Sequence, residues 1–232
     1  EVQHSALTRS PDALKHYILG RDAVRDEDYS KAIGEYSEAI RIDSTFTNVY
    51  LDLIDTYEIS VCGCYDKAKI LCLRLYNRKD QMTIQFKLRT EYAYSTLFKM
   101  PYDRVRYLKQ LLELDDQQPE MYFTLGKLYK EVDQLNKGIA ETEKSLEIYN
   151  KWGIKPPTAD NYIFLIGAYH DAKQKKKEER FIRKAEQDFP DTPSIKWWEF
   201  RHSLNIKDTI TANDYHEKFI KLSRRILYPN II

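Results

Sequence analysis

Residues 28–43 read DYSKAIGEYSEAIRID, an amphipathic helix with an unusual buried side. Where a core helix usually carries leucine, this one carries Ala32 and Ala39. Small residues on a packing face let two helix backbones approach, and a large side chain there would wedge them apart. The stretch therefore raises the question of what its small-residue face packs against.

Composition sets the frame. The chain has 232 residues, enough for one or two ordinary domains or one elongated repeat domain. It is 42% hydrophobic and 31% charged, which allows a core under a well-solvated surface. Gly (7) and Pro (8) are too scarce for an all-β fold with many tight turns. The 18 tyrosines suit half-buried surfaces, where the ring packs and the hydroxyl stays wet. A net charge of +1 gives no global field to attract nucleic acid or an anionic membrane. No apolar run approaches the length of a membrane span. The opening EVQHSALTRSPD has no apolar signal-peptide core and no initiator Met, so a fragment or processed product is expected. That leaves the compartment open, with the cytoplasm weakly favoured over a periplasmic or extracytoplasmic site.

The small-residue pattern recurs. Residues 12–44 run DALKHYILGRDAVRDEDYSKAIGEYSEAIRIDS, and residues 119–150 run PEMYFTLGKLYKEVDQLNKGIAETEKSLEIYN. In each, Leu-Gly is followed twelve positions on by a small residue and seven later by another: Gly20, Ala32 and Ala39, then Gly126, Gly138 and Ser145. Each first helix is rich in aromatics, with Tyr17 in one and Tyr122, Phe123 and Tyr129 in the other.

This resembles the tetratricopeptide repeat (TPR), whose 34-residue unit pairs two antiparallel helices. The resemblance implies an all-α, right-handed α-solenoid of about five helix pairs plus C-terminal capping helices. Repeats are expected at about 13–46, 47–82, 83–118, 119–150 and 159–190, after an N-terminal extension, 1–12. Ala32 and Ala39 would then be the small side of a crossing, with Tyr36 filling the space between repeats. The second repeat, with Tyr50, Leu53, Tyr57 and Ala68, carries two extra residues around Cys62–Cys64. The third has Val105 or Tyr107 where a small residue is usual, and its register is open. The fifth has Tyr162, Leu165, Tyr169, Ala185 and Pro190, but Glu178 at a small-residue position. Residues 191–232 leave the pattern and are expected to cover the last apolar face. The run from Tyr17 through AIRIDSTFTNVYLDL, with the later KAEQDFPD, also resembles repeat regions of bacterial multidomain signalling proteins. That implies the sensory or docking half of such a protein.

No catalytic constellation is legible. There is no Gly-rich phosphate loop, and His216-Glu217 lacks a second histidine for a zinc motif. No strand-turn-helix elbow exposes a serine. Neither a metal nor a cofactor is implied. Cys72 reads as a buried small hydrophobe, and a disulfide between Cys62 and Cys64 would be strained. The run KQKKKEERFIRK, 173–184, holds seven basic and two acidic residues and reads as a solvated face, with Phe181, Ile182 and Ala185 inward. Nucleic-acid or acidic-partner binding there is the rival, weakened by the lack of interleaved aromatics. Trp197-Trp198 reads as one core and one half-buried side chain, or as a docking point.

The resemblance implies a concave groove lined by the first helix of each repeat. Its expected partner-binding residues are Tyr17, Arg21, Asn48, Asp55, Tyr92, Phe123, Lys127, Lys130 and His170. Such a mixed wall suits a protein or peptide segment with apolar anchors and charge. The Lys, Asn and Arg set that clamps chaperone tails in this family does not recur. Oligomers through the terminal helices, and a small-molecule sensor with an enclosed pocket, remain rivals.

Overall fold

The structure is a computed structural model that describes residues 8–60 and 63–227, the last three of these by backbone alone. Twelve α-helices and one 3₁₀ turn, Lys79–Gln81, make up its regular structure, and no strand occurs among the described residues. The helices are α1 (Pro11–Arg25), α2 (Tyr29–Ile42), α3 (Thr47–Ile59), α4 (Tyr65–Tyr76), α5 (Ile84–Leu97) and α6 (Pro101–Leu114), then α7 (Pro119–Glu131), α8 (Leu135–Lys151), α9 (Asp160–Asp171), α10 (Lys175–Asp188), α11 (Pro193–Asn205) and α12 (Thr209–Leu227). They pair in sequence, α1 with α2 through α11 with α12, as an all-α helical repeat of the solenoid class. The chain forms two compact units, Glu1–Asp116 with α1–α6 and Gln117–Ile232 with α7–α12.

Local chemistry sets the helix ends. Ser10 caps α1 by accepting from the Ala13 amide at 3.2 Å, and Asp28 caps α2 by accepting from Lys31 at 3.0 Å. Proline opens α1, α6, α7 and α11, where its missing N–H costs nothing. Within five of the pairs a single non-glycine residue takes the left-handed conformation: Glu27, Lys99, Asp133, Lys173 and Lys207. The following amide then donates back to a helix carbonyl: Asp28 to Ala23 at 2.8 Å, Met100 to Ser95 at 2.8 Å, Gln134 to Tyr129 at 2.8 Å, Gln174 to Tyr169 at 2.9 Å and Asp208 to Ser203 at 3.0 Å. This bond satisfies a carbonyl that the helix end orphans, which offsets the left-handed strain. In the remaining pair Gly63 takes that conformation at φ 64°.

These turns give a register that side-chain identity obscured. Five residues beyond each turn stands the residue at the helix crossing: Ala32, Ala68, Arg104, Gly138, Glu178 and Ala212. The α11–α12 pair therefore has the repeat geometry although its sequence departs from the pattern, and Ala212 is 1% exposed. In the third pair the crossing residue is Arg104, where Val105 or Tyr107 was expected. Arg104 hydrogen-bonds Tyr92, the residue seven before the turn, so a polar pair replaces two small residues. In the fifth pair Glu178 is buried at the crossing.

In the first unit Ala32 and Ala39 are fully buried. Tyr36, expected between repeats, also lies across Gly20 within its own pair; a Cβ there would come within 2.5 Å of the ring. Leu51, Ile54, Ala68, Cys72 and Leu97 continue the core, and burial pushes the Cys72 thiol up to about 12. In the second unit Tyr162, Leu165, Tyr169, Phe181, Ile182, Ala185 and Ile195 form one cluster. The basic run thus turns Phe181, Ile182 and Ala185 inward and leaves its lysines outside.

Two expectations need correction. Neither tryptophan is a core residue: Trp197 is 39% exposed and Trp198 is half-buried, because Ile195, Lys196 and Glu199 take the buried face of α11. Cys64 is disulfide-bonded, where the sequence disfavoured a bridge in the Cys62–Cys64 turn as strained; Cys62 lies outside the described residues.

Candidate functional site

In the first unit the first helices α1, α3 and α5 carry a band of charge. α3 packs against α5. Tyr17 on α1 is wedged between Tyr36 and Phe46, at ring distances of 6.0 and 5.0 Å. Its phenol hydrogen-bonds Asp52 on α3, and burial followed by the Asp52 charge pushes that phenol up to about 12. Tyr17 is thus half committed to the core. Arg21 lies over its ring at 5.9 Å. Arg89 on α5 donates to Asn48 Oδ1 on α3 at 3.1 Å, so Asn48 is held by a neighbouring first helix. Tyr92 is drawn to Arg104 at the α5–α6 crossing.

Beside Tyr17 opens a cavity of about 320 Å³. α1 contributes Arg21, Val24 and Arg25, α2 contributes Tyr36, and α3 contributes Asp52, Asp55, Thr56 and Ile59. Asp55 is reachable by water but stands recessed among protein groups that displace much of its hydration. Burial, then repulsion from Asp52 and Glu58, raises its carboxyl from 3.8 to about 7, against the opposing pull of Arg89. Burial also raises Asp52 and Glu58. Asp55 makes no hydrogen bond or ion pair to another described residue.

In the second unit the corresponding wall is α7, α9 and α11, with α9 against α11. Phe123 meets Phe164 edge-on, with centroids 6.2 Å apart. Lys127 stands 4.7 Å over Phe123, and Lys130 stands 5.8 Å over Phe164. His170 is not a free wall residue. Its Nδ1 lies 3.0 Å from buried Glu178, and Arg201 reaches its Nε2 at 3.0 Å. Arginine only donates, so Nε2 accepts and Nδ1–H donates to Glu178. His202 Nδ1 stands 3.9 Å from the same carboxylate. The glutamate that broke the small-residue rule is therefore held by His170 from the preceding helix, with His202 of the following helix standing near it.

Sequence spacing placed Arg21, Asp55, Lys127 and Lys130 on the walls, and Trp198 was read as part of a possible docking point, but Asp52 and Phe164 were missed. The missed residues precede Asp55 and Gly167 by three, one helical turn. Taking that adjacent turn into account would have found them. Among the described residues, no helix is long and apolar enough to cross a membrane.

No protein-family model matches the sequence, and no curated protein matches it at a significant level. Solved structures do match. PilW, a type IV pilus biogenesis factor, superposes with a TM-score of 0.72 at 13% identity, over 96% of this chain and 96% of that one. TTC0263, a thermophilic TPR protein in Thermus thermophilus, gives 0.61 at 13%, over 84% and 98%. The chain has the tetratricopeptide-repeat fold. YrrB, a TPR protein with an unusual peptide-binding site, gives 0.51 at 19%, over 79% and 90%. At these identities the TPR likeness is one of fold, and the residues must supply the function.

Proposed function

We propose that this TPR-fold chain is a non-enzymatic interaction module. It binds a protein or peptide segment along the first-helix walls, as a scaffold or as the sensory region of a larger signalling protein. One contrast carries this reading. Several charges on other helix faces are neutralised locally: Arg41 by Glu38, Lys151 by Glu147, Arg183 by Glu179 and Lys218 by Asp214. Asp55, Lys127 and Lys130 on the walls have no such partner among the described residues. Charges left uncompensated beside half-exposed aromatics are what a partner would complete. The peptide site of YrrB is a parallel in a protein of like fold.

The test is a peptide array read with the purified chain and three variants: Asp55→Lys, the double Lys127→Glu/Lys130→Glu, and Lys151→Glu as an outer-face control. The reading expects bound peptides to be lost with a wall variant and kept with the control. Absence of any bound peptide, or equal loss with the control, contradicts it.

The cavity beside Asp55 favours a second reading. Its volume lies near the lower end for small-molecule sites, so a small polar ligand would raise the melting temperature of the wild type and not of Asp55→Lys.

A further inference from the structure

We infer that the α7–α9–α11 wall takes an acidic segment with apolar anchors; this rests on the reading above and names the partner's chemistry. Three aromatic residues, Phe123, Phe164 and Trp198, come from three successive first helices. Each carries a cation: Lys127 at 4.7 Å, Lys130 at 5.8 Å and Arg201 at 4.9 Å from the respective ring centroid. None of the three cations pairs with a carboxylate among the described residues. A cation on an aromatic face gains only part of what a carboxylate would give it, so the wall presents unmet positive charge.

The arrangement is built rather than incidental. Gly167 on α9 leaves the space that Trp198 fills; a Cβ there would lie 3.3 Å from the indole. Arg201 is held over Trp198 by its bond to His170, whose other nitrogen is fixed by buried Glu178. A crossing position that is small in four of the five other pairs here carries the anchor of that chain of contacts. Glu178 thus acts through His170 as a positioning residue.

An acidic segment matches this wall better than nucleic acid does. Phe123 and Phe164 meet at 88°, and cations sit over both rings, so no parallel slot is left for a base. The chain's net charge of +1 adds no broad field for a polyanion. Carboxylates spaced between leucine or phenylalanine side chains would meet the cations in turn while the apolar groups cover the rings.

The test is fluorescence anisotropy with labelled peptides of about a dozen residues, in which Glu and Leu alternate, and matched peptides with Gln or Lys for Glu. An oligothymidylate of similar length is a fourth probe. The inference expects the Glu peptide to bind at least about tenfold tighter than the Gln peptide. Lys127→Gln/Lys130→Gln should lose that advantage, and Lys127→Glu/Lys130→Glu should prefer the Lys peptide. Circular dichroism checks that each variant is folded. Equal binding of the Gln and Glu peptides, lost with the variants, overturns the acidic assignment and leaves the interaction module standing. Binding of oligothymidylate in preference to the Glu peptide overturns it in favour of nucleic acid. Absence of binding to every probe overturns it as well, and if the peptide array is also blank the module reading falls with it.

Discussion

Gly126 and Gly138 face each other across the α7–α8 crossing, each so close that a methyl group on it would meet the other's carbonyl oxygen, at 2.9 Å from Gly126 and 2.7 Å from Gly138. A methyl group on Gly126 would also meet Thr142 Oγ1, but both glycines meet backbone oxygen, so the backbones themselves would have to part. The crossing is therefore held at a separation that only glycine permits.

Gly126→Ala should destabilise the second unit by about 1–3 kcal/mol through overpacking. Gly34, also within a helix, has open space around it. Gly34→Ala should stabilise by up to about 1 kcal/mol, because alanine loses less backbone entropy in a helix. Urea denaturation of both variants measures this. A neutral Gly126→Ala would show that the crossing relaxes.

The Glu178–His170 pair makes a second prediction. Glu178 is 2% exposed, and removing His170 strips a hydrogen bond from a buried carboxylate. His170→Phe should cost about 1–3 kcal/mol. Adding Glu178→Ala should recover part of the loss, since no buried polar group is then left without its partner. A double-mutant cycle decides; strictly additive losses would mean that the two side chains act independently.

Asp55 gives stability a pH dependence. Its carboxyl takes up a proton at about 7 in the folded chain, against 3.8 ordinarily. Between those values the folded chain holds a proton that the unfolded chain has released, so this group's contribution falls as pH rises through the window. Above pH 7 the penalty for the crowded, partly desolvated charge is present, and below 3.8 it vanishes. Asp55→Asn should therefore melt higher than the wild type at pH 8, with the gap closing toward acid pH. A variant that melts lower at pH 8 would mean that the charged carboxylate has a stabilising partner.

Fold was legible where backbones approach. Ala32, Ala39, Gly126 and Gly138 are small because a crossing requires it, and their spacing revealed that through its likeness to the repeat. The third pair was harder, because Tyr92 and Arg104 solve the same crossing with a hydrogen bond. The last pair was hidden likewise: Lys207 supplies the same left-handed turn as Glu27, but its helices carry Lys196 and Glu199 on the buried face. Lys196 is compensated there by Glu186 at 2.5 Å and Glu199 at 3.1 Å, a pairing that no helical period announces. The walls were half legible. Spacing along one helix found Lys127 and Lys130. It could not show that His170 is tied to Glu178, or that Phe164 stands beneath Lys130, since those contacts join different helices.

The most direct test of the central claim is amide chemical-shift mapping of the isotopically labelled chain with its tightest array peptide. The account predicts perturbations concentrated on first helices, around Arg21 and Asp55 in the first unit or around Lys127, Phe164 and Trp198 in the second. Perturbations confined to the second helices, α2, α4, α6, α8, α10 and α12, would contradict it.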